Sequence, residues 1–71
     1  MAEYTVLYEK GETNWGAIVP DLPGCVSLGD TLADAQLNVR EAIAVYIEVL
    51  QEQGQPIPPP RHVAEAVNVS V

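Results

Sequence analysis

Seventy-one residues with ten acidic and three basic side chains give a net charge of −7 and a pI near 4.2. That balance argues against binding a phosphate backbone, which needs clustered Lys and Arg; it favours a soluble protein and is compatible with a basic protein partner steered by opposite charge. One cysteine excludes an internal disulfide, and no apolar run approaches the ~18 residues of a membrane span.

The start Met1-Ala2-Glu3 is acidic and unlike a signal peptide, so a reduced, cytoplasmic setting is expected. Ordering a chain of this size costs on the order of 100 kcal/mol, which a core this small barely offsets. With neither disulfide nor metal-ligand cluster, self-association is the expected source of further burial. We therefore expect one domain over residues 1–71 that forms a homodimer or a higher homo-oligomer.

In chain order, residues 4–8 alternate, with Tyr4, Val6 and Tyr8 on one face and Thr5 and Leu7 on the other. Residues 10–14 form a polar loop, so a hairpin leads into a second alternating run at residues 15–19. There Trp15, Ala17 and Val19 share a face, with Gly16 and Ile18 opposite. Both faces carry apolar groups, which predicts a sheet covered by a helix on one side and by another chain on the other. The dimer interface is expected on the uncovered face, near Tyr4, Val6, Tyr8 and Trp15.

The stretch Val19-Pro20-Asp21-Leu22-Pro23-Gly24-Cys25 cannot continue a paired strand, because each proline fixes φ and lacks an amide donor. Gly24 supplies the positive φ that a tight return uses. Residues 25–28 then read as a third strand, with Val26 and Leu28 on one side. Gly29 breaks it, and Thr31-Leu32-Ala33-Asp34 reads as a capping box with Asp in place of Glu. A helix is predicted over residues 32–53, stopped by Gly54 at the C′ position.

On that helix Leu32, Ala35, Val39, Ala42, Ile43, Tyr46, Ile47 and Leu50 share one face. Asp34, Glu41, Glu48 and Glu52 form an acidic stripe opposite, flanked by Leu37 and Val45. Gln55-Pro56-Ile57-Pro58-Pro59-Pro60 is a stiff polyproline segment, read as a linker back across the sheet rather than a recognition motif. Residues 67–71 alternate again and read as a last strand, closing a sheet edge or pairing with a neighbouring chain.

The proline turn at residues 19–25, followed by Gly29-Asp30-Thr31 and one long helix, resembles the signature of the HicB-like antitoxin family. The tyrosine-rich first strand, the aromatic in the second and the Ile-Pro-x-Pro segment extend the resemblance across residues 4–60. It implies an α+β domain of β-β-β-α-β order, similar to a truncated ribonuclease H fold: a three-stranded antiparallel sheet, a long helix and a C-terminal strand. It also implies a partner, a small basic ribonuclease toxin of the HicA type with a double-stranded-RNA-binding-like fold, whose active site the antitoxin covers. Expected toxin contacts are Glu41 and Glu48 on the helix, with Val67, Val69 and Val71 on the last strand. Many members of the family continue into a DNA-binding module. No basic helix follows the proline run before Val71, so a short form without that module is expected. The alternative is a solitary oligomeric domain with a structural or regulatory role and no toxin.

No catalytic constellation stands out, and no enzyme activity, cofactor, metal or membrane contact is expected. His62, the one histidine, reads as a solvated loop residue without a neighbouring acid, and Cys25 as a structural thiol. Asp30 and Asp34 suit the positive end of the helix dipole, and Asp21 suits local bonding within its own turn.

Overall fold

The computed structural model describes residues 2–71. Three antiparallel strands, β1 (Leu7–Lys10), β2 (Trp15–Ile18) and β3 (Val26–Gly29), are followed by one helix, α1 (Leu32–Glu52). The sheet runs in the order β1-β2-β3, and α1 packs across β3 and β2.

The first strand begins later than residues 4–8 suggest, and proline chemistry explains the shift. Leu7 faces Ile18 and Glu9 faces Gly16 across the β1–β2 ladder. Extending that register would set Thr5 against Pro20, which has no N–H to donate. Residues 4–6 therefore run on without pairing. A tight loop closes the other end, where the Gly11 amide donates to the Asn14 carbonyl at 2.7 Å.

Two successive turns make the link from β2 to β3. The Leu22 amide donates to Val19 O at 3.0 Å and the Cys25 amide to Leu22 O at 2.9 Å. Gly24 adopts φ +80°, as a glycine in such a return can. The double turn drives Leu22 inward until it is fully buried, and there it joins Ala17, Val19, Cys25 and Val39 as the core. Tyr4, Val6, Ala42, Ile43 and Tyr46 pack around that cluster.

Thr31 caps α1, its hydroxyl accepting the Asp34 amide at 3.1 Å. This half of the capping box forms; the Asp34 side chain, one carbon shorter than Glu, returns no bond among the described residues. At the far end Gly54 takes φ +67°. Its amide bonds Gln51 O at 3.1 Å and the Gln55 amide bonds Leu50 O at 2.9 Å, which is a Schellman termination. Gly29 is required for a different reason. A Cβ there would lie 2.3 Å from the Ala35 nitrogen, because the first turn of α1 rests directly on the β3 backbone.

Two expectations are corrected. No strand forms over residues 67–71, which are all exposed and unpaired among the described residues. Alternating valines favour a strand only where an edge is available to bond, and this tail lies against none. Tyr4, Val6, Tyr8 and Trp15 also do not stand on the uncovered side. Tyr8 faces Ala17 across the ladder, and Ala17 is buried under α1. Cross-strand neighbours share a face, so this whole set belongs to the helix side. The uncovered face carries Leu7, Ile18, Val26 and Leu28 instead, each between 48% and 62% exposed.

Candidate partner-binding surface

The acidic turn and the segment after the helix meet on the helix side of the sheet. Asp21 sits at the start of the double turn and is nearly buried. Its Oδ2 accepts the backbone amides of Arg61 at 2.8 Å and His62 at 3.0 Å, and its Oδ1 lies 2.6 Å from His62 Nδ1. Partial burial pushes the carboxyl up, but the two amides and the imidazole more than offset it, and its pKa falls below the usual 3.8. Two hydroxyls tie down the same segment, Tyr4 donating to Pro58 O at 2.5 Å and Thr5 to His62 O at 2.7 Å. The proline segment is thus strapped across the start of the chain, and residues 63–71 leave the body from this anchor.

His62 therefore has an acidic neighbour, and Asp21 bonds a segment forty residues away rather than its own turn. Neither was legible in the sequence, where nothing links the two positions. On the other side of the same turn, the Tyr46 hydroxyl donates to Pro23 O at 2.9 Å and fixes the turn to α1. Cys25 is buried beneath, and burial pushes its thiol up, which keeps it protonated and unreactive.

Between β3 and α1 a groove of about 700 Å³ opens to solvent. Its walls are apolar, with Val26 and Cys25 on the strand side and Ala42, Val45 and Val49 on the helix side, and Glu41 stands on its rim. Glu48 is seven residues on, two turns along the same helix face. Among the described residues no lysine or arginine pairs with any carboxylate, so the stripe is electrostatically uncompensated. Helical periodicity put Glu41 and Glu48 on one face of α1 but gave no sign of the groove, because Val45 and Val49 come to line it only through the crossing of helix and strand.

Val67, Val69 and Val71 project from the tail, 68%, 73% and 118% exposed. The structure does not bring them to Glu41 or Glu48 through any hydrogen bond or core contact among the described residues. No three of His, Cys, Asp and Glu gather in metal-binding geometry among the described residues. No helix there is long and apolar enough to cross a membrane.

Comparison with known proteins adds the family context. Residues 4–70 match the model of the HicB-like antitoxin of bacterial toxin–antitoxin systems. A UPF0150 protein of Thermoplasma acidophilum is 41% identical over 68 residues, covering 94% of this chain and 96% of its own. A 14.9 kDa protein from the rep–hol intergenic region of Haemophilus phage HP1 is 38% identical over 92% of this chain and 49% of its own. Antitoxin HicB 2 of Photorhabdus laumondii is 32% identical, covering 89% and 45%. The chain thus spans about half the length of the phage protein and of that antitoxin. Among solved structures, a chain of a HicA3 and HicB3 toxin–antitoxin complex superposes with a TM-score of 0.71 at 38% identity, covering 83% of this chain and 70% of its own.

Proposed function

The chain belongs to the HicB-like antitoxin family, and from that membership we propose that it binds and neutralises a small basic ribonuclease of the HicA type. In this reading residues 1–71 act as a single toxin-binding domain whose role is stoichiometric masking rather than catalysis. The observation that carries it is the uncompensated acidic stripe of α1 beside an open apolar groove. A ribonuclease must present basic groups to hold RNA phosphates, and carboxylates on a rigid helix compete for those same groups. A net charge of −7 also speeds the encounter with a basic partner at low salt.

Glu41 and Glu48 supply the charged contacts in this account. Val67, Val69 and Val71 supply apolar ones, the tail becoming a strand against the partner. That ordering would complete the β-β-β-α-β, truncated ribonuclease H-like arrangement. Among the described residues no helix follows α1, so the role proposed for them runs through protein contacts. Neutralising a ribonuclease places the protein where RNA is, in the cytoplasm. The test is RNA cleavage by a HicA-type ribonuclease mixed with this protein. Cleavage should stop near equimolar protein and resume with the Glu41→Lys/Glu48→Lys variant, whereas unaffected cleavage would remove the proposal.

A second reading, an oligomeric HicB-like domain with a structural or regulatory role and no toxin, draws on the uncovered sheet face. Leu7, Ile18 and Val26 lie side by side across all three strands, with Leu28 beside them, and all four are exposed. A contiguous apolar patch of this kind marks a contact surface. Self-association through these residues is compatible with either reading, and sedimentation at micromolar concentration decides whether it occurs.

A further inference from the structure

β3 is an edge strand, paired with β2 on one side only. The Val19 amide bonds Cys25 O at 3.1 Å, which points the Val19 amide toward the β3 side and sets the phase of the ladder. By the alternation of an antiparallel ladder, Ala17–Ser27 and Trp15–Gly29 are hydrogen-bonded pairs. Val26 and Leu28 therefore turn their N–H and C=O groups away from β2. The Asn38 side-chain amide agrees with this direction, donating to Leu28 O at 2.8 Å. The Val26 N–H, the Val26 C=O and the Leu28 N–H have no hydrogen-bond partner among the described residues.

Proteins ordinarily blunt such an edge with charge or proline. β3 reads Val26-Ser27-Leu28-Gly29 and has neither. Directly beside it lies the apolar groove, so a strand laid along β3 would find both backbone partners and a place for its inward side chains. Charge identifies the occupant. The tail of a second copy has the right alternation, but residues 63–71 hold Glu65 and no basic side chain. Such a tail would bring further negative charge to a rim that already carries Glu41, with Glu48 two turns along the same helix face.

We propose that the free edge of β3 docks an extended segment of a basic protein partner, which adds as a fourth strand beside Val26 and Leu28. Alternate apolar side chains of the segment fill the groove against Ala42, Val45 and Val49, and its Lys or Arg residues meet Glu41 and Glu48. The choice of a basic partner rests on the function proposed above; the edge and the groove do not.

The test uses the whole chain and a capped synthetic peptide, Lys-Val-Lys-Val-Thr-Val-Arg-Val, followed by amide exchange in NMR. At saturating peptide the Val26 and Leu28 amides should exchange at least about tenfold more slowly, as groups drawn into a ladder do. The same peptide N-methylated at alternate residues should protect neither amide. Glu41→Lys, a change at an exposed position, should weaken the unmodified peptide several-fold without altering the fold. Three results would overturn the proposal: no protection at Val26 and Leu28, equal binding of the N-methylated peptide, or equal or tighter binding of a peptide copying residues 63–71. The last would hand the edge to a second copy. Because no ribonuclease enters the experiment, this inference and the antitoxin reading fail separately.

Discussion

Asp21 and His62, forty-one residues apart, meet at 2.6 Å between Oδ1 and Nδ1, while Oδ2 takes two backbone amides from the same segment. One carboxylate thereby joins the double turn between β2 and β3 to the strap that follows α1. The anchor determines where the exposed tail leaves the body.

Removing the carboxylate should free the strap and leave the rest standing. Asp21→Ala is expected to speed tryptic cleavage after Arg61 several-fold, since protease access follows local opening. The helical circular dichroism signal should hardly change, because α1 keeps its cap, its Schellman end and its packing on β3. Unchanged cleavage would mean that the strap is held by Tyr4 and Thr5 alone.

The anchor also sets an acid limit on stability. The folded pKa of Asp21 lies below its usual 3.8, so the group adds stability that is complete above about pH 3.8 and fades as pH falls through the folded value. Chemical denaturation of the protein and of Asp21→Asn should show a constant gap near neutrality. The gap should narrow at pH values below 3.8. A gap that widens on acidification would contradict the sign of the shift.

Gly29→Ala and Gly16→Ala separate steric need from glycine in general. At Gly29 the added methyl would run into the Ala35 and Asp34 backbone, at 2.3 and 2.7 Å, and no flexible side chain can yield. Displacing the start of α1 should cost about 2 kcal/mol or more, as overpacking does. At Gly16 the nearest atom is Leu28 Cδ2 at 3.8 Å, so the substitution meets no clash. Thermal melts of the two variants give the comparison.

Trp15 and Ile18 stand on opposite faces of β2, and their substitutions should behave differently. Trp15→Ala lowers stability by about 3 kcal/mol at most, since the side chain is only partly buried on the helix side. Its effect on self-association should be small. Ile18→Asp puts a charge in the exposed row with Leu7 and Val26, and should reduce association while sparing the fold. Sedimentation velocity on both variants reads the difference.

Local signals carried much of this architecture. Proline chemistry marked the turn after β2, Thr31 and Gly54 marked the two ends of α1, and helical periodicity placed Ala35 and Val39 inward. Alternation also sorted Trp15, Ala17 and Val19 onto one face, but could not say which face α1 would cover. That choice depends on the burial of Leu22 through the double turn, which brings the helix side of β2 into the core. The alternating valines at 67, 69 and 71 signalled a strand, yet a strand must lie along an edge, and the tail runs along neither β1 nor β3. The Asp21–His62 anchor and the unpaired Val26 edge are long-range features, and short-range patterning says nothing of them.

The most direct measurement is co-purification of the tagged protein from its native cells at low salt, in parallel with the Glu41→Lys/Glu48→Lys variant. A small basic ribonuclease, retained by the parent protein, shed as salt is raised and absent from the variant, is the predicted result. Recovery of the protein with itself alone, or of a ribonuclease held equally by parent and variant at every salt concentration, would contradict neutralisation through the acidic face of α1.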